Sequence, residues 1–190
     1  GIRDGGGFEI GMHEVTAHAR RAATFQEIAE RDEMTGLPSM TLFWEFLSYA
    51  VKRAQRQEER LAVMGIYVNG LREINETRGH DFGDRVLIQV AANIKQAVRS
   101  CDAVARFGGT KFVALLEPLG EDENIHIVTE RIAEAIARRI EVGGVSVEVS
   151  ATIGVSLYPT SVASPSALLR NATTAMDYAM DRGAGSIHIA

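Results

Sequence analysis

The chain has one cysteine, one tryptophan and four prolines among its 190 residues. A lone cysteine, Cys101, excludes an intrachain disulfide, and a single thiol makes no zinc site. The scarcity fits a reducing compartment and reads as a cytoplasmic segment. No apolar run reaches the ~18 residues that a membrane-spanning helix needs, and the N-terminus lacks a secretory-signal pattern. Basic charge is short as well: 20 Lys and Arg stand against 25 Asp and Glu, a formal net charge of -5. No face is polybasic, so nucleic acid is excluded as a partner, and an anionic ligand has to be met by a few placed arginines. There is no internal repeat and no low-complexity tract.

What is present suits one globular domain plus a small extra element: 46% of residues are apolar, enough for a full core. Residues 1–7, GIRDGGG, read as a flexible linker. Met12, Val15, Ala19, Ala22, Phe25 and Ile28 then recur at three- and four-residue steps, the mark of an amphipathic helix. Its narrow stripe suits a coiled-coil seam or a helix folded back on its own domain. Residues 1–30 are thus expected to end an upstream module, as the missing initial Met also suggests, and 31–190 to form the main domain.

TGLP (35–38) breaks the pattern, and Ser39 or Thr41 can cap a helix running to about Glu58. LAVMGIYV (61–68) is a continuous apolar run and so a strand buried on both faces. Residues 70–84 read as a short helical turn and a loop, and 85–100 as a helix. DAVARF and KFVALLE are strands joined through Gly108-Gly109. Ile125, Val128, Ile132 and Ile136 mark a helix over 122–140, and 145–159 one or two strands. A last helix over 165–182 and a short strand at SIHI (186–189) complete an α+β sandwich built on one sheet.

The blocks RDEMTGLPSM (31–40), EINETRGHDFGD (73–84), DAVARFGGTKFVALL (102–116), SATIGVSLYP (150–159) and TAMDYAMDRG (174–183) resemble, in order and interval, those of the GGDEF domain, the diguanylate cyclase family. The resemblance covers about residues 31–190. It implies a ferredoxin-like core related to nucleotidyl cyclases, with a central, mostly antiparallel sheet flanked by helices. Active members join two GTP molecules into cyclic di-GMP, using divalent metals held by carboxylates on the first strand and on the GG(D/E)EF hairpin.

The carboxylates are missing here. The family's first-strand acidic pair falls on Tyr67 and Asn69, and the hairpin Gly108-Gly109-Thr110-Lys111-Phe112 carries a hydroxyl and an ammonium at its acidic positions. The family's phosphate-binding Lys and Arg fall on Met180 and Ala184. Magnesium favours hard anionic oxygens, so no metal, no cofactor and no cyclase activity are expected. Lys111 as a metal-free counter-charge to phosphate, and a cyclase with unusual ligands, are the alternatives. Asn75 and Asp84 match the family's guanine-binding positions, although a helix end and a helix first turn explain them equally well.

RSCD (99–102) matches the R-x-x-D motif at which the family binds cyclic di-GMP as an inhibitor. Arg99 and Asp102 sit where a helix turns into a strand, a place expected to leave neither charge fully buried, and Arg131 is the expected third ligand from the next helix. Arginine grips phosphate or the guanine O6/N7 edge with a fork of two donors. The plain alternative is a surface ion pair. The resemblance therefore implies a cyclic di-GMP receptor without catalysis, with an upstream sensory or receiver-type domain, an unidentified protein partner and a possible homodimer. A docking domain without ligand is the remaining alternative.

Overall fold

The computed structural model describes residues 30–120, 124–159 and 164–190. The expected N-terminal helix lies outside these residues.

Ser39 caps helix α1 (Met40–Gln57), its Oγ accepting from the Leu42 N–H at 3.4 Å. Phe43, Leu47, Ala50, Val51 and Ala54 form the buried stripe of that helix. Strand β1 (Arg60–Asn69) is buried almost throughout, as its unbroken apolar run requires. Two helices follow, α2 (Leu71–Arg78) and α3 (His80–Ala97), with Gly79 at φ 86° between them. The loop expected before residue 85 is therefore a second helix start. Asp84 stands in the second turn of α3 and not its first, so the first-turn explanation for it is weakened.

Strands β2 (Ala103–Gly108) and β3 (Lys111–Leu119) form the hairpin, with Gly108 pairing Lys111. Gly108 at φ 130° and Gly109 at φ 54° take backbone conformations that a Cβ disfavours, which is why glycines hold this turn. Helix α4 (Ile125–Ala137) leads to β4 (Ile140–Val142) and β5 (Val145–Val147), a separate two-stranded ribbon whose first strand the sequence reading missed. Strand β6 (Ser150–Tyr158), helix α5 (Pro165–Asp181) and strand β7 (Ile187–Ile189) complete the order.

The main sheet runs β2-β3-β1-β6-β7, antiparallel except for the β6–β7 edge pair. Strand alternation splits the core in two. Ala62, Met64, Ile66 and Val68 of β1 pack with residues of α2, α3 and α4, whereas Leu61 and Val63 pack with α1 and α5. Helix α5 crosses the sheet at a seat made by Gly65 and Gly154. A Cβ on Gly154 would lie 1.9 Å from the Met176 backbone nitrogen, and one on Gly65 3.2 Å from the Ala172 carbonyl oxygen. This close approach brings the C-terminal half of α5 down toward the hairpin.

Candidate functional site

Two regions hold the residues the sequence singles out. The first is the end of β1 and the hairpin beside it. Tyr67 sits across from Lys111 on one side and from Thr152 on the other. Asn69 turns its amide to β6, donating to Ser150 O at 3.3 Å, Ser150 Oγ at 3.1 Å and Thr152 Oγ1 at 3.0 Å. The Lys111 Nζ lies 3.9 Å from Asp177 Oδ1 on α5, so this cation has an internal counter-charge. Thr110 meets β1 through its carbonyl, which accepts from the Val68 N–H at 3.0 Å. Phe112 and Val113 behind the turn are buried, whereas Phe107 is 40% exposed.

An ammonium, a hydroxyl, a phenol and an amide already bonded to the sheet do not suit a hard divalent cation. Among the described residues no three His, Cys, Asp or Glu side chains come together as metal ligands. The residues at the family's metal positions therefore do not fit the metal.

Asn75 and Asp84 lie on neighbouring helices. The Asn75 Oδ1 is buried without a hydrogen-bond partner and is pressed against Gly83: a Cβ there would sit 1.8 Å from it. Asp84, the next residue, is exposed.

The second region is the turn between α3 and β2. The Asp102 side chain is only 1% exposed. Its Oδ2 accepts from the Arg99 backbone N–H at 2.8 Å and from Arg99 Nε at 3.3 Å. Its Oδ1 accepts from Arg99 Nη2 at 3.3 Å and from the Glu117 N–H at 3.2 Å. This corrects the expectation that the turn leaves both charges accessible: the carboxylate is inside, and its hydrogen bonds satisfy it there. Arg99 stays 40% exposed, with Nη2 also donating to Pro118 O at 3.2 Å. Cys101, between Arg99 and Asp102 in the motif, is exposed.

Arg99 and Arg131 do line one groove, of about 360 Å³, between α3 and α4. Asn93, Gln96, Ala97 and Val98 contribute from α3 and its end, and Ala135 and Arg138 from α4 and its end. Arg138 escaped the sequence reading, although its spacing of seven from Arg131 places both on one helical face.

Glu117 was also missed. Burial above all pushes its carboxyl up, Glu59 and Asp102 add to the rise, and Arg53 opposes it. Arg53 spans both acids, with Nη2 3.3 Å from Glu117 Oε2 and Nε 3.0 Å from Glu59 Oε2. Asp32 behaves in the opposite way. Burial alone would raise it, but hydrogen bonds from Thr35 and the Arg106 guanidinium outweigh burial and hold it below the usual carboxylate range. Arg106 also donates to Gly109 O at 2.9 Å, tying the 30–38 segment to the hairpin turn.

The family model described as "Diguanylate cyclase, GGDEF domain" matches residues 29–186. The chain belongs to the GGDEF family. It is 36% identical over 169 residues to the diguanylate cyclase TpbB of Pseudomonas aeruginosa, covering 88% of this chain and 39% of TpbB. It is 34% identical over 168 residues to the bifunctional diguanylate cyclase/cyclic di-GMP phosphodiesterase MucR of the same organism, covering 88% of this chain and 24% of MucR. The solved GGDEF domain of TpbB superposes with a TM-score of 0.81 at 37% identity, over 84% of this chain and 94% of that one. The chain thus spans well under half the length of these curated relatives.

Proposed function

We propose that this GGDEF domain has lost cyclase activity and serves as a cyclic di-GMP receptor in bacterial second-messenger signalling. The observation that carries the reading is the convergence of Arg99 and Arg131 on one groove, at the turn where the family holds that ligand. The hairpin supports it from the other side. Phosphoryl transfer from GTP needs metals to neutralise developing charge, and the family's metal positions here carry Tyr67, Asn69, Thr110 and Lys111, with Lys111 facing Asp177. The ligand is held by arginines, while Asp102 orients Arg99 from within.

Calorimetry with cyclic di-GMP tests the reading. Binding in the micromolar range or tighter, about -8 kcal/mol, is expected, with loss in Arg99→Ala. No heat and no ligand-dependent rise in Tm would leave a docking domain in its place. Incubation with GTP and magnesium or manganese is expected to yield no cyclic di-GMP; clear turnover overturns the inactive assignment.

A second reading, guanine-nucleotide binding without turnover, rests on the exposed Asp84 at the family's guanine position; the Asn75 Oδ1 is buried against Gly83 with no exposed surface to offer a ligand. A GTP titration without metal, in wild type and Asp84→Ala, separates this from the receptor role.

A further inference from the structure

We propose that Arg138 is a third ligand-gripping residue of the groove between α3 and α4. The inference rests on the reading of that groove as the cyclic di-GMP site and adds to it a residue that the R-x-x-D motif does not announce. Arg131, Ala135 and Arg138 follow at i, i+4 and i+7, which lays them along one face of α4 and its C-terminal end. Asn93, Gln96 and Ala97 form the facing wall on α3, and Arg99 closes the head of the groove. The two alanines keep the floor low, and the arginines and amides form its polar wall.

Charge points the same way. No Asp or Glu lines the groove: Asp102, beside Arg99, is turned inward with its side chain 1% exposed, and Glu130 and Glu134 of α4, though exposed, stand outside the lining and make no ion pair with Arg131 or Arg138. Among the described residues neither Arg131 nor Arg138 makes an ion pair or a side-chain hydrogen bond. Two uncompensated guanidiniums and the exposed part of a third therefore share one concave surface, which focuses a positive field on an anion placed there. Guanidinium forks match phosphate oxygens in pairs. A cyclic dinucleotide has two phosphodiesters, and Arg138 lies one helical span from Arg131, so the two arginines can hold different parts of one ligand. The Gln96 amide, with a donor and an acceptor, faces the same space for a base edge, whereas Asn93 Oδ1 already accepts from Gln89 Nε2 at 3.0 Å. The competing explanation of Arg138 is a cation placed near a helix C-terminus, where the macrodipole favours it. That role touches helix stability alone.

Cyclic di-GMP is titrated calorimetrically into wild type, Arg99→Ala, Arg138→Ala and Arg138→Lys, with the Tm of each variant measured without ligand. The expected result is a loss of affinity of about tenfold or more in Arg138→Ala, the scale of a hydrogen bond to a charged group, with unliganded Tm close to wild type. Arg138→Lys recovers part of the affinity, because lysine supplies the charge without the fork. Wild-type affinity in Arg138→Ala alongside loss in Arg99→Ala overturns the role of Arg138 and leaves the receptor reading standing. A fall in Tm with unchanged affinity assigns Arg138 to the helix end and overturns the proposal. No binding by wild type overturns both.

Discussion

Gly65 on β1 stands directly across from Gly154 on β6, and helix α5 crosses the sheet over the pair. Backbone, and not a movable side chain, occupies the space above Gly154, since a Cβ there would lie 1.9 Å from the Met176 nitrogen and 2.5 Å from the Ala172 oxygen. Gly154→Ala is expected to lower stability by about 3 kcal/mol, the upper range of overpacking in a tight core. Gly65→Ala, whose Cβ would meet the Ala172 oxygen at 3.2 Å, is expected to cost about 1 kcal/mol. Urea unfolding of the two variants checks the order, and a milder effect at Gly154 than at Gly65 would contradict it.

Asp102 is a second point of structural dependence. Replacing it by alanine removes the acceptor of the Arg99 and Glu117 backbone N–H groups and of the Arg99 guanidinium. A loss of about 2–3 kcal/mol is expected, the cost of leaving buried donors without a charged partner. Asp102→Asn keeps the shape and one acceptor oxygen, so it is expected to fall between wild type and alanine in urea midpoint.

Glu117 sets a pH dependence. Its folded-state pKa lies above the ordinary glutamate value, burial being the main cause. The folded protein then holds a proton that the unfolded chain has lost, so stability declines as pH rises from the ordinary value through the raised one. Glu117→Gln is expected to gain on wild type across that window, read as a difference in urea midpoints. Asp32, held below its ordinary range, behaves in the mirror sense: wild type loses stability against Asp32→Asn as pH falls through the depressed value.

Lys111 and Asp177 are 37% and 65% exposed at the side chain and 3.9 Å apart. Such a solvent-screened pair contributes little, and Lys111→Ala is expected to change stability by less than about 0.5 kcal/mol. A larger loss by thermal or urea unfolding would make the pair a structural clamp and not a charge substitution.

The legible part of the fold was the part written in periodicity. The unbroken apolar run of β1, the Ser39 cap of α1 and the Gly108-Gly109 turn each carry a local signal, and each element appears where that signal places it. Residues 80–84 misled because Gly79 and Gly83 resemble a loop. Gly83 is in fact a contact residue inside α3, glycine because Asn75 presses on it. The short β4 strand has three residues and no alternation long enough to see. In the candidate site, Arg99 and Arg131 could be singled out by their positions in the family resemblance. The burial of Asp102 could not, because it depends on the Glu117 N–H arriving from β3, 15 residues further along the chain. Arg138 and the Arg53–Glu117 contact are likewise products of helices and strands meeting.

The way Asp102 holds Arg99 has a consequence for recognition. A long cationic side chain ordinarily loses rotamer freedom when a ligand immobilises it, at about 0.5–1.5 kcal/mol each. Arg99 has surrendered that freedom already on folding, pinned by two carboxylate oxygens and the Pro118 carbonyl. Arg131 and Arg138 make no such hydrogen bonds among the described residues, so under the proposed receptor role their ordering cost would be incurred on binding. In that role, one groove holds a stiff reference point and two adaptable arms, and a ligand would register first against Arg99 and be gathered afterwards by the arms.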